Sequence, residues 1–198
     1  MLFIKSKAEE ISVDIEQRIE EHITVIEQVR QHCIPDIQKI AALCKEAVLH
    51  GRTIFFCGNG GSAADSQHLA AEFVGRFVKE RRGLAAVALT TDTSILTAIS
   101  NDYGYEQIFA RQVEALVRPG DILIGLSTSG NSPNVILAIH KAKQLGAIAI
   151  GLSGGNGGKM AEHCDLCVTV PAKVTARIQE AHILIGHIIC EFMDEVVC

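Results

Sequence analysis

From Gly51 onward the chain repeats one unit: a short apolar run, a turn rich in Gly, Ser or Thr, and a helix-length segment. The runs lie at 53–57, 84–89, 121–126, 147–152 and 166–170. Their apolar residues are continuous rather than alternating, which marks strands covered on both faces. Strands that alternate with helices form parallel sheets through right-handed crossovers. The expected fold class is therefore α/β, a doubly wound five-stranded parallel sheet of flavodoxin-like order. Helices are expected over 62–77, 94–100, 107–116, 132–145 and 176–197, with a short one after the fourth strand. Residues 1–50 precede this pattern and read as two helices divided near Pro35. Ile11, Val13, Ile15, Ile19, Ile23 and Ile26 give an approximate helical stripe, continued by Ile37, Ile40, Leu43, Ala47 and Leu49. No repeat or long linker divides the chain, so residues 1–198 read as one domain with an N-terminal helical extension.

Composition narrows the partners. With 18 basic and 23 acidic side chains the net charge is −5, and no basic run exists to attract a nucleic acid or an anionic membrane. No stretch reaches the ~18 uninterrupted apolar residues of a membrane span. The opening Met1-Leu2-Phe3-Ile4 is too short for a signal peptide. At 48% hydrophobic and 21% charged residues the chain is too apolar to be disordered. Seven cysteines, at 33, 44, 57, 164, 167, 190 and 198, are odd in number and partly embedded in apolar patterns, which fits reduced thiols and a cytoplasmic location. Cys164 and Cys167 form a single C-x-x-C pair that runs into a strand, where alternate side chains point to opposite faces. They too read as ordinary thiols. The apolar excess is built from Ile, Leu, Val and Ala with no Trp, and suits helices packed between subunits as well as a two-sided sheet.

In such a sheet a ligand lies beyond the carboxyl ends of the strands, at the switch point. Two turns there are equipped to hold an anion. Gly58-Asn59-Gly60-Gly61-Ser62 follows the first strand; its glycines allow close backbone approach, and the next helix offers unpaired N–H groups. Ser127-Thr128-Ser129-Gly130-Asn131-Ser132-Pro133 follows the third strand and brings four hydroxyls to another helix start. Together they suggest a phosphate cradle of amides, hydroxyls and helix dipoles, without a P-loop lysine. Ser and Thr also cap helices for purely structural reasons. Gly58, Gly60 and Ala63 fit the dinucleotide fingerprint as well, but the acid expected at the end of the second strand is missing, so NAD is a minor alternative.

His68 and Glu72 stand four residues apart on one face of the helix after the first turn, a spacing that suits two ligands of one metal, a base beside an acid, or an ordinary ion pair. The last helix carries Gln179, Glu180, His182 and His187. Gln179 and His187 are eight residues apart, about 12 Å along a helix and roughly 80° round it, whereas His182 should face away from His187.

The segments Cys57-Gly-Asn-Gly-Gly-Ser-Ala-Ala-Asp-Ser-Gln-His68-Leu-Ala-Ala-Glu72, Ala98-Ile-Ser-Asn101-Asp102-Tyr-Gly104, Ser127-Thr-Ser-Gly-Asn-Ser132 and Ala176-Arg-Ile-Gln179-Glu-Ala-His182 resemble bacterial phosphoheptose isomerases of the sugar isomerase (SIS) domain superfamily. The resemblance runs from about residue 35 to the C-terminus with its motifs in order. It implies interconversion of sedoheptulose 7-phosphate and D-glycero-D-manno-heptose 7-phosphate, at the start of the route to the heptose of the lipopolysaccharide core. It further implies a cytoplasmic homotetramer with active sites at subunit interfaces and a zinc ion in each subunit.

On that resemblance His68, Glu72, Gln179 and His187 would surround the zinc, and Glu72 and His187 would be the catalytic acid/base pair. Asn59, Gly60, Gly61, Glu72, Gln179, Asn101 and Asp102 would contact the sugar, the last two from a neighbouring subunit in one arrangement. Ser127, Thr128, Ser129 and Ser132 would hold the phosphate. Proton transfer through a cis-enediol is the expected chemistry. The alternative is a non-catalytic SIS protein that binds the replication initiator; such relatives lack the acid and histidine, whereas Glu72 and His187 are both present here. A sugar-phosphate sensor would be expected to carry a DNA-binding module, and no such extension with a basic face is visible.

Overall fold

The computed structural model describes residues 2–197, with side chains described over 15–195. Two helices open the chain, α1 (Leu2–His32) and α2 (Ile34–Leu49), and Pro35 lies in the first turn of the second, where a missing N–H costs nothing. The alternation follows as β1 (Ile54–Gly58), α3 (Gly61–Val74), β2 (Ala86–Ala88), α4 (Thr93–Tyr103), α5 (Ala110–Leu116), β3 (Ile122–Ser127), α6 (Pro133–Gln144), β4 (Ile148–Gly154), α7 (Gly158–His163), β5 (Leu166–Val170) and α8 (Thr175–Val197). A 3-10 turn, Tyr105–Gln107, joins α4 to α5. The five strands are all parallel in the order β2-β1-β3-β4-β5, as the sequence pattern requires.

The pleat divides the core in two. Ile54, Phe56, Ile122, Ile124, Leu126, Ile150 and Leu152 point to the face covered by α2, α3 and α8. Phe55, Cys57, Leu123 and Ala149 point to the face covered by α5, α6 and α7. Every residue of β1 and β3 is buried, which is why those runs read as uninterrupted apolar sequence. The edge strands β2 and β5 are only partly covered, and β2 keeps three paired residues. A fully buried Phe or Leu contributes about 1.5–3 kcal/mol, and the central strands supply Phe55, Phe56, Leu123, Leu126 and Leu152 of this kind.

Two sequence expectations shift. The helix expected to reach Phe77 stops at Val74, and residues 75–85 instead form a loop over the end of α3. On α1 the buried residues among those described are Val25 and Val29, with Cys33 just beyond its end, while Ile15, Ile19 and Ile23 of the expected stripe are about half exposed. Ile11 and Val13 lie outside the residues with described side chains. The core-facing stripe is therefore rotated from the one read in the sequence, because an isoleucine-rich helix has two apolar faces to choose from.

Candidate active site

The β1–α3 and β3–α6 turns lie side by side because β1 and β3 are neighbours whose following helices begin at the same sheet edge. They are also tied together. Asn59 and Asn134 exchange two amide hydrogen bonds of 2.8 Å, and the Tyr105 hydroxyl donates to Asn59 Oδ1 at 2.9 Å. Asn134 is 2% exposed, so a polar pair fully satisfied by itself locks the two turns into one unit. In the second turn, Ser127 Oγ and Ser132 Oγ are 2.9 Å apart, and the Gly130 N–H donates to the Ser127 carbonyl. Ser132 is the N-cap of α6, yet its hydroxyl makes no capping bond. At this helix start Pro133 has no N–H, the Val135 N–H is taken by Asn134 Oδ1 at 3.0 Å and the Ile136 N–H by the Ser132 carbonyl, so what the turn can offer an anion is chiefly its hydroxyls.

Beside these turns α3 and α8 pack closely at Leu69 and Gly186. A β-carbon at Gly186 would lie 2.4 Å from Leu69 Cδ2, so the missing side chain is what lets the helices approach. That approach brings His187 to the face of α3 that carries His68 and Glu72. His68 Nε2 is 3.1 Å from Glu72 Oε1 and 3.4 Å from His187 Nε2, and one ligand atom from each of the three residues lies within 4.8 Å of the others. The Phe77 ring, from the loop after α3, sits 5.3 Å from the His187 ring. Gln179, two turns earlier on α8, reaches the opening of α3: a β-carbon at Gly61 would meet its amide nitrogen at 2.5 Å. Its amide thus lies against the junction of the β1–α3 turn and the helix that bears His68. His182 faces away as expected, fully buried with Nε2 3.0 Å from the Ser153 carbonyl.

The donor set can be tested against a metal by its spacing. Ligand atoms about 2.0–2.2 Å from a tetrahedral ion stand about 3.3–3.6 Å apart along each edge. The two imidazole nitrogens, at 3.4 Å, match that edge, and the carboxylate oxygen at 3.1 Å comes close to it. Two imidazoles and a carboxylate are also a chemically suitable set for a divalent ion such as zinc. His68, Glu72 and His187 are therefore a group able to hold a metal ion. Asp65, one turn before His68, adds a negative group: burial raises its carboxyl above the usual range, opposed by His68 and His187, and its Oδ2 is buried without a partner.

A second cluster braces the same helices. Arg81 and Asp194 are buried together at 0% and 1% side-chain exposure, with Nε 2.6 Å from Oδ1. Asp194 also accepts the backbone N–H groups of Val78 and Lys79. Burial works to raise its carboxyl, but those N–H bonds and the guanidinium outweigh it, and the carboxyl is held below its usual range. Arg81 donates onward to the carbonyls of Phe73 and Glu72 at 2.9 and 2.8 Å. The pair thus joins the end of α3, at Glu72, to α8 seven residues beyond His187.

Of the residues expected from the sequence, His68, Glu72 and His187 converge. Asn59, Gly60 and Gly61 form one turn, and Ser127, Thr128, Ser129 and Ser132 the adjoining one. Gln179 contacts the first turn. Asn101 and Asp102 lie exposed near the end of α4 and hydrogen-bond to each other at 2.8 Å. Sequence reasoning missed Asn134, Tyr105, Phe77, Asp65 and the Arg81–Asp194 pair. Arg81 falls within Lys79-Glu80-Arg81-Arg82, a charge run that on its own reads as solvated loop.

Structurally this is a doubly wound α/β domain with two joined Gly- and hydroxyl-rich turns and an acid–imidazole cluster beside them. Residues 19–154 match the model of the SIS domain. A phosphoheptose isomerase of Nitratiruptor is 53% identical over 91% of this chain and 97% of its own length. One of Aquifex aeolicus is 57% identical over 82% and 85%. The solved structure of the phosphoheptose isomerase from Neisseria gonorrhoeae is 44% identical and superposes with a TM-score of 0.89 over 94% of this chain and all of that one. The chain belongs to the SIS domain family and, within it, to the phosphoheptose isomerases, enzymes that isomerise a heptose phosphate. Among the described residues no helix is long and apolar enough to cross a membrane.

Proposed function

We propose that the protein interconverts sedoheptulose 7-phosphate and D-glycero-D-manno-heptose 7-phosphate through a cis-enediol, as the first step in making the nucleotide-activated heptose of the lipopolysaccharide core. The observation that carries this reading is the convergence of Glu72 with His68 and His187 on helices that flank the joined turns. The phosphate is held by the Ser127, Thr128, Ser129 and Ser132 hydroxyls at the start of α6, where the helix dipole favours an anion. Asn59, Gly60 and Gly61 line the sugar, with Gln179 of α8 against the same turn and Asn101 and Asp102 contributed by a neighbouring subunit.

Glu72 removes the proton from the carbon next to the carbonyl and returns it to the adjacent carbon. His187 moves the proton between the two oxygens, since a neutral imidazole both donates and accepts near neutral pH. His68, Glu72, Gln179 and His187 would hold one zinc ion per subunit, which when bound polarises the carbonyl and steadies the enediolate charge. A positioned acid/base pair contributes ~10²–10⁴-fold to the rate. The working form is a homotetramer in the cytoplasm, with each site completed across an interface. Glu72→Gln is expected to abolish solvent deuterium exchange at C1 and C2 of the ketose phosphate, followed by NMR, while binding of the sugar phosphate stays measurable by calorimetry. Normal exchange in that variant rules Glu72 out as the base. A panel of five-, six- and seven-carbon ketose phosphates identifies the substrate.

A further inference from the structure

Cys164 and Cys167 take no part in the isomerisation. The sequence places them at the start of a strand, where two sulfurs three residues apart would not meet. The structure brings them together. A bend at Cys164 and Asp165 precedes β5; the Asp165 N–H donates to the Ala149 carbonyl at 2.8 Å, and its carboxylate accepts the Ala149 N–H at 2.9 Å. This bend turns Cys164 back over β4. Gly151 of β4 lies in register with Cys167, and a β-carbon there would stand 2.8 Å from both sulfurs. The two sulfurs therefore occupy the space that a side chain at 151 would fill, no farther apart than twice that distance. Gly151 is what makes room for the pair.

The surroundings differentiate the two thiols. Ser153 Oγ is 3.5 Å from Cys167 Sγ and 3.1 Å from Thr169 Oγ1. The neighbouring Cys164 thiol, with the Ser153 and Thr169 hydroxyls, lowers the Cys167 thiol against the effect of burial. The Cys167 sulfur beside it, with burial, raises Cys164. Both residues are partly exposed, whereas Cys33, Cys44, Cys57 and Cys190 are buried and their thiols are all raised. An accessible low-pKa thiol beside a second thiol is the arrangement that oxidises selectively.

We propose that Cys164 and Cys167 form a redox-active dithiol, with Cys167 the nucleophile and Cys164 the resolving thiol, which a hydroperoxide closes to a disulfide and a dithiol reductant reopens. The Cys167 thiolate attacks the outer peroxide oxygen and breaks the O–O bond, giving a sulfenic acid and an alcohol, or water from hydrogen peroxide. The Cys164 sulfur then attacks the Cys167 sulfur, forms the S–S bond and releases water. Two thiols are oxidised and one peroxide is reduced. Closure has a path to the anion turn through α7: the Cys164 N–H donates to the Met160 carbonyl, the Met160 N–H to the Gly130 carbonyl at 2.8 Å, and the Lys159 N–H to Asn131 Oδ1 at 3.1 Å. This consequence rests on the reading of that turn as the phosphate site; formation of the disulfide does not.

The test uses the full chain treated with hydrogen peroxide and then digested with trypsin. The peptide 160–173 contains Cys164 and Cys167 and no other cysteine. It is expected to lose two hydrogens, about 2 Da, and to regain them with dithiothreitol. In Cys164→Ser the sulfenic acid on Cys167 should persist and be trapped by dimedone, whereas Cys167→Ser should stay unmodified at Cys164. On oxidation the KM for the sugar phosphate should rise severalfold, reversibly, and not in Cys164→Ser. A peptide that keeps both thiols free, or one in which Cys164 reacts first, overturns the dithiol assignment. A closed disulfide with an unchanged KM overturns its coupling to the turn, and because the mass readout needs no substrate it stands apart from the isomerase reading.

Discussion

His187 meets His68 from 119 residues away, and that meeting depends on small residues as much as on the imidazoles. Gly186 lets α8 touch Leu69, and Gly61 leaves room for the Gln179 amide. His182, on the same helix, illustrates how burial separates a structural histidine from a functional one. Burial lowers it to about 4 from the usual 6.5, against the opposing hydrogen bond to the Ser153 carbonyl. Between those values the unfolded chain binds more protons than the folded one. Its contribution is thus complete above pH 6.5 and is lost as the pH falls toward 4, by about 3 kcal/mol in all. Replacing it with glutamine, which keeps a donor but does not titrate, should flatten the acid side of the stability profile measured by urea unfolding. An unchanged acid slope would assign that loss to other groups. At this scale the sequence named the residues of the triad and both turns, but not Asn134 or Asp65, whose roles depend on what faces them.

At the level of elements, the loop of residues 75–85 sets how α3 and α8 meet. It supplies Phe77 to the His187 ring and Arg81 to Asp194 and to the Glu72 carbonyl. Removing one partner of a buried ion pair leaves an uncompensated charge and typically costs ~3–5 kcal/mol. Asp194→Ala is accordingly expected to destabilise the protein by about that amount in chemical denaturation. Replacing Arg81 and Asp194 together by Met and Leu should recover much of the loss. A single-variant cost below about 1 kcal/mol would show that the charge is relieved by water instead. The alternation of strands and helices was legible because each central strand is buried on both faces. The loop was not, since Lys79-Glu80-Arg81-Arg82 carries no sign that one of its charges turns inward.

For the whole molecule, one row of exposed apolar residues lies on α1, where Ile15, Ile19 and Ile23 are 53%, 55% and 48% exposed. Ile15 and Ile19 line a groove with Arg18, His22, Arg177 and Glu180, and His22 Nδ1 is 2.7 Å from Glu180 Oε2. An isoleucine row of this kind beside charged residues suits an interface with an apolar centre and a polar rim. Under the tetramer reading, Ile19→Arg should shift the protein to smaller species in sedimentation and reduce turnover in parallel. Wild-type protein that sediments as a monomer at micromolar concentration contradicts the interfacial role of the N-terminal helices.

The order of secondary structure, the parallel sheet, the turns at its ligand edge and the presence of an acid and two histidines were determined by the sequence, because burial and turn chemistry leave their mark residue by residue. The tertiary structure decided which faces meet: Val25 and Val29 rather than Ile15 and Ile19 against the core, His187 rather than His182 against His68, Arg81 inward, and two sulfurs over Gly151. Periodicity records that a side chain is covered; only the packing of distant elements selects what covers it.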